Sequence, residues 1–357
     1  NALDANTTAD SNVAIGDSSM TASTTANHNT CVGHNAGASI TVGQGNTCIG
    51  ADAGDAISGS NGKWNTVVCL SSNTAHGNTG VGAKCLEDNT SGSGNNGFGY
   101  FALNEVTTGD DNVAMGTSAG QKITTGDNNS CFGNTAGQDI TTGVSNTCIG
   151  YQTGKDITTG SQNTLVGYAN GATGLALTTG GQNMLFGTFN DTTAADASQC
   201  HGLGYNLDCA PDFTTLGNAT LDSRLAHGGT TWSTISDIRV KKDIKDSEAG
   251  LSFINDLRPV TFNYKNLGDI PKEFKGYEEG STEAYRNSKR QHGFIAQEVK
   301  EAIDNHPEIV DGFKMWHELD HSGQQEVADG YLIPMLTKAI QELSAEVQEL
   351  KAKLEDK

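Results

Sequence analysis

The stretch Asn129-Ser-Cys-Phe-Gly-Asn-Thr-Ala-Gly-Gln-Asp-Ile-Thr-Thr-Gly143, followed by Val144 and Ser145, starts over at Asn146 as Asn-Thr-Cys-Ile-Gly150. Working outward, the same opening of Asn, a few mostly apolar residues and Gly begins at Asn12, Asn29, Asn46, Asn65, Asn78, Asn95, Asn112, Asn163 and Asn183. Degenerate copies follow at Cys200 and Phe213. Most starts lie 17 residues apart, and intervals of 19, 13 and 20 read as loop insertions and shortened coils. Ala-Gly recurs at one offset (Ala36-Gly37, Ala53-Gly54, Ala119-Gly120, Ala136-Gly137), and Thr-Thr-Gly at another (107–109, 124–126, 141–143, 158–160).

A unit this short cannot bury an apolar face alone, so it must stack on copies of itself. Each unit offers one β-prone segment (Thr147-Cys148-Ile149, Thr164-Leu165-Val166) and a second around Ile140-Thr141-Thr142, with Gly at fixed offsets for corners of positive φ. Thirteen coils at about 4.8 Å make a rod of roughly 60 Å. The expected fold is mainly β: a β-solenoid or β-prism shaft. Such a shaft is thin, and three chains packed together hide more of each, so a homotrimer is expected. Cys31, Cys48, Cys131 and Cys148 share the inward repeat position with Val67, Ala114 and Leu165. They read as a ladder of small buried thiols rather than a disulfide framework.

Composition divides the chain near residue 236. Residues 1–235 hold 5 Lys and Arg, 18 Asp and Glu, and 37 of the 45 Gly. Residues 236–357 hold the other 17 Lys and Arg and 24 Asp and Glu, as an ordinary charged α+β domain would. The expected organisation is a shaft over 1–225, a linker over 226–235, and a second domain over 236–357 that ends in a coiled coil over 331–357. In that last segment Ile333, Leu336, Ile340, Leu343, Val347, Leu350 and Leu354 alternate at three and four residues, an a/d seam. Glu346 and Lys351 occupy g and e positions that can pair between strands. Ile and Val at a with Leu at d lean toward two strands, against the trimer, unless the larger domains set the number.

The formal charge of −20 disfavours nucleic acid as a partner. No run approaches a membrane span, Asn1-Ala2-Leu3-Asp4 does not read as a signal peptide, and the absent initiator Met suggests part of a longer chain. Gly92-Ser-Gly94-Asn-Asn-Gly97 matches the dinucleotide fingerprint in spacing, but no amphipathic helix follows it. His28, Cys31 and His34 have metal-ligand spacing but read as a core thiol between corner histidines, so neither metal nor cofactor is expected. Lys122, Asp139 and Asp156 share one offset and form a column on adjacent coils. Two neighbouring carboxylates there are the shaft's best enzymatic hint, for a retaining glycosidase, but the column reads first as a solvated row of charges.

From residue 236 several motifs follow in order: Ser236-Asp-Ile-Arg-Val-Lys241, an amphipathic helix from about Ser247 to Leu257, Leu257-Arg-Pro259, and the strand Val260-Thr-Phe-Asn-Tyr264. Gly293-Phe-Ile-Ala-Gln-Glu298 and the terminal heptads complete the set. Together these resemble the endosialidase-type intramolecular chaperone of phage tail spikes and fibres. The resemblance implies a trimeric module that aligns three chains and then cuts itself off before its first serine. On this chain the bond is Ile235–Ser236, with Ser236 as nucleophile and Lys241 as base. A serine needs a group to take its proton, and a lysine does so only when neutral, a form that desolvation or the neighbouring cations Arg239 and Lys242 favour. Five residues of separation suit neither a helix face nor a strand face, so the pair must meet through a turn or between subunits.

The resemblance implies a virion tail fibre, folded in the host cytoplasm and contacting a bacterial surface glycan or receptor, with the chaperone released. The shaft repeats also resemble the heads of trimeric adhesins. Alternative readings are a tailspike that depolymerises polysaccharide and a fibre or adhesin stalk without a ligand.

Overall fold

The computed structural model describes residues 1–55, 57, 63–68, 75–174, 176–309, 313–319 and 322–355. They form two compact units, Asn1–Asp237 and Ile238–Lys357.

The first unit is a β-solenoid. A fifteen-stranded sheet runs its length, with thirteen rungs in parallel from Val13–Ile15 to Phe213–Asn218. Rungs pair like position with like position, as Val113–Met115, Ser130–Phe132 and Thr147–Ile149 illustrate: Ala114 lies beside Cys131, and Cys131 beside Cys148. Nine rungs are three residues long, and in most of them a glycine follows the third residue. Gly116 has φ 140°, and a Cβ there would stand 2.4 Å from the carbonyl oxygen of Gly133 on the next coil. Only a residue without a side chain lets the coils stack this closely.

The core is two side chains thick. The middle residue of each rung points inward (Ala114, Cys131, Cys148, Leu165) and meets Ile123, Ile140 and Ile157 from the opposite wall, all fully buried. Described cysteines are free and buried, so the thiol ladder is present. The adjacent Cys131 thiol, then burial, push the Cys148 thiol well above its ordinary value, keeping it protonated and unreactive.

The Asn that opens each repeat does more than mark it. Asn129 Oδ1 accepts the backbone N–H of Asn146 at 3.0 Å and its Nδ2 at 3.0 Å. Asn129 Nδ2 donates to Asn112 Oδ1 at 3.0 Å and to the Gly143 carbonyl at 2.8 Å. The bond from backbone N–H to the preceding Oδ1 recurs from Asn12 to Cys200, and from Asn29 onward these asparagines are buried. It is an internal hydrogen-bonded spine along the shaft.

The expected second strand around Ile140–Thr142 is not formed. The amides of Thr124, Thr125 and Gly126 converge on the single carbonyl of Thr141 at 2.9, 3.3 and 3.3 Å. Three successive donors on one acceptor make a bend, whereas a strand spreads its bonds along the chain. Nor do glycines supply all the left-handed corners, since Asn128, Ser145 and Gln162 have φ of 58–60°. The shaft ends by reversing direction. Leu221–Ala226 pairs antiparallel with the last rung, and Trp232–Thr234, inside the expected linker, pairs antiparallel with Ser223–Leu225.

The second unit is α+β. Helix α1 (Leu251–Asp256) leads to the strand Val260–Phe262, which pairs antiparallel with Gln291–Gly293. Helix α2 (Ala296–Asp304), a hairpin of Trp316–Glu318 with Gln325–Val327, and the long helix α3 (Leu332–Glu355) follow. Phe253, Val299, Ile303, Met315 and Leu332 form the core. The expected helix from Ser247 starts at Leu251 instead. Gly250 has no side chain to cap it, and the Leu251 N–H donates to the Glu342 carboxylate of α3 at 2.7 Å.

Candidate processing site and helical seam

The boundary between the units is where the chemistry was expected. Within the first unit, Ser223 pairs with Thr234, Arg224 with Ser233 and Leu225 with Trp232, and Ser233 Oγ donates to the Arg224 carbonyl at 3.0 Å. Arg224 Nε in turn donates to Asp222 Oδ2 at 3.0 Å. Phe213, Asp222, Arg224, Ser233, Thr234 and Ile235 line a cleft of about 250 Å³. Pairing stops at Thr234. Ile235 is 55% exposed, and the exposed Ser236 follows it outside the sheet. The bond proposed for cleavage therefore lies one residue past the last hydrogen-bonded pair.

The second unit opens with a 3₁₀ turn, Ile238–Val240, whose Ile238 carbonyl accepts the Lys241 N–H at 3.1 Å. Lys241 follows the turn and its side chain is exposed. Ser236 belongs to the first unit and Lys241 to the second, five residues apart in sequence across the boundary.

The other motifs of this unit come together in space. Arg258 of Leu257-Arg-Pro259 makes a two-pronged ion pair with Glu298 of Gly293-Phe-Ile-Ala-Gln-Glu298, one bond being Nε to Oε2 at 2.9 Å. Hydrogen bonding to Arg258 holds the Glu298 carboxyl below its ordinary value. Phe262 and Tyr264 meet edge to face at 5.3 Å, and with Gly293, Phe294 and Arg286 they line an open cleft of about 560 Å³. Sequence reading missed the buried His306, which bonds Asp256 through Nε2 and Glu308 through Nδ1, both at 2.8 Å. Glu308, two residues on, was the available signal, whereas Asp256, 50 residues earlier, is brought to the histidine only by the fold.

Helix α3 has two apolar stripes. Leu332 and Ala339 are buried in their own unit. Leu336, Ile340, Leu343, Val347, Leu350 and Leu354 share the other stripe and are 41–72% exposed. With Ile333 these make seven exposed apolar residues along one face, a seam left uncovered among the described residues of this unit.

The remaining candidates have ordinary explanations. Gly92 and Gly94 sit in a solenoid turn, Gly97 is the middle residue of the strand Asn96–Phe98 that follows, and no helix opens there. Cys31 is fully buried while His28 and His34 are exposed, so the three do not converge, and no cluster of three metal-ligating side chains occurs among the described residues. Lys122 Nζ ion-pairs with Asp139 at 2.7 Å, and Asp156 follows in the same column, so the column reads one cation and then two carboxylates. Burial raises the Asp156 carboxyl, and Asp139 adds to this.

The geometry thus defines a β-solenoid shaft joined, just beyond its capping strand, to a helix-tipped α+β domain. The family described as "Chaperone of endosialidase", a peptidase family, matches residues 236–307, about a fifth of the chain. The match begins at Ser236 and includes Lys241, Arg258 and Glu298, and the C-terminal unit carries a chaperone domain of this type. Neither the curated proteins nor the solved structures gave a significant match to the chain.

Proposed function

We propose that the chain is the distal part of a phage tail fibre whose C-terminal unit brings three copies into register and then cuts itself away at Ile235–Ser236. One observation carries the reading: the family match starts at Ser236, directly after the strand that closes the shaft, so cutting there removes no pair from the sheet. The exposed seam of α3 supports self-association, since three copies cover it with one another.

In the proposed reaction the Ser236 hydroxyl attacks the Ile235 carbonyl carbon as Lys241 takes the hydroxyl proton. The C–N bond breaks, and the proton passes to the departing Ser236 amine. Water then hydrolyses the resulting ester, leaving a carboxylate on Ile235 and the free amine and hydroxyl of Ser236. A base contributed only in the assembled state makes cleavage wait for trimerisation. The need for such a module is physical. A one-coil slip preserves most contacts of a 17-residue repeat, so shaft register is weakly specified. Long-range pairing is slow and open to aggregation, and a clamp on three ends removes slipped alternatives. The released shaft is then held by its barrier to unfolding.

For attachment to a bacterial surface glycan, the shaft offers a column of aromatic rings, Tyr151, Tyr168, Phe189 and Tyr205, with successive centroids 5.1, 5.2 and 6.1 Å apart. The tyrosines are nearly half exposed, and such flat faces suit sugar rings. Intact mass spectrometry tests the cleavage. The parent chain should yield fragments 1–235 and 236–357, and Ser236→Ala and Lys241→Ala should stay whole. An uncut parent, or a cut Ser236→Ala chain, overturns the mechanism.

A further inference from the structure

We infer that the outward face of the parallel sheet is the surface through which shafts bind one another, with the partner a second and third copy of this chain. This rests on the trimeric reading above and adds which face meets which. In each rung the residues on either side of the inward one point out, and the one after it is apolar in all thirteen rungs, from Ile15 to Leu216. Ile15 is 59% exposed, Phe98 37%, Met115 50%, Ile149 41% and Leu203 57%. In-register stacking places these residues in one unbroken column. The column is roughly 60 Å long and one strand, about 10 Å, wide. Its area, on the order of 600 Å², lies at the top of the range of apolar patches on soluble monomers, where such patches are often functional, and is somewhat below the ~800 Å² per partner of a stable interface.

Charge identifies the occupant. Residues 1–235 carry 18 Asp and Glu against 5 Lys and Arg, yet not one of these types occupies an outward position in any of the thirteen rungs. A partner of opposite charge would be met by the acidic walls, whereas a copy of the same acidic chain can approach closely only where charge is absent. A threefold axis parallel to the shaft sets each position against itself, Met115 against Met115, and preserves this neutrality along the full column.

Cross-linking tests the assignment on the full chain. Met115→Cys places a thiol on the face, and Thr125→Cys places one on the exposed Thr-Thr-Gly wall. The described native cysteines are buried, and the parent chain serves as the blank. After treatment with a three-armed maleimide, Met115→Cys should run as a covalent trimer on a denaturing gel, while Thr125→Cys and the parent run as single chains. If Met115→Cys stays uncross-linked although its native mass is that of three chains, trimerisation stands and this face is wrong. Equal cross-linking of Thr125→Cys also overturns the assignment. A single-chain native mass overturns both the face and the trimer.

Discussion

Replacing Asn129 by alanine probes the spine of the shaft. The asparagine is fully buried and makes four side-chain hydrogen bonds. Some partners keep a second bond: Asn112 Oδ1 still accepts the residue 129 N–H at 3.0 Å, and Asn146 Nδ2 still donates to the Gly160 carbonyl at 2.8 Å. Two groups are stranded, the Asn146 N–H and the Gly143 carbonyl, which met Asn129 at 3.0 and 2.8 Å. At about 1–3 kcal/mol for each buried group left unsatisfied, the loss is about 2–6 kcal/mol, and water entering the gap moves it toward the lower end. Thr125→Ala, at an exposed position, should cost no more than about 0.5 kcal/mol. Guanidinium denaturation followed by circular dichroism compares the two in the full chain, with equal m-values securing the comparison. An Asn129→Ala midpoint equal to that of Thr125→Ala would show that the spine contributes nothing and that glycine stacking and the apolar core alone hold the coils.

Burial raises the Asp191 carboxyl to about 6, despite the Thr173 hydroxyl that donates to it at 2.6 Å. The folded shaft then holds this proton more tightly than the unfolded chain, so stability falls as pH rises from about 4 to about 6 and is level above. Asp191→Asn should flatten that slope in a pH series of melts and add up to about 3 kcal/mol at neutral pH. In the second unit the bond to Asp256, with Glu308 adding to it, raises the His306 imidazole. Its stabilisation is complete below the ordinary histidine range and is lost as pH climbs through the raised value. His306→Gln should remove that dependence, and an unchanged pH profile would exclude the triad as its source. Leu343→Asp puts a charge on the exposed seam of α3 and should lower the yield of native trimer severalfold while leaving the secondary structure of the unit intact by circular dichroism.

Repetition made much of this legible. A period of 17 with Cys, Ala or Leu at one offset is enough to expect stacked coils and a thiol ladder, because a strand's inward position recurs with the coil. The spine was harder to see. Asn129 and its equivalents were visible as punctuation, and nothing local distinguishes a corner asparagine from one whose amide reaches the next coil. Left-handed Ser145 and Gln162 are similarly opaque, since their strain is offset by stacking against neighbours 17 residues away. The Thr-Thr segment has β propensity that tertiary bonding overrides. At the boundary, Trp232–Thr234 is too short to read as a strand and is fixed only by pairing with Ser223–Leu225. The heptads of α3 were plain, whereas the cap that Glu342 gives to α1 depends on residues 91 positions apart.

The native mass of the shaft made with and without residues 236–357 goes most directly to the role of the C-terminal unit. With that unit present during folding, the shaft should be soluble and three chains in size; without it, the shaft should be insoluble or monomeric. A soluble trimer assembled from residues 1–235 alone would contradict the role given to the chaperone unit.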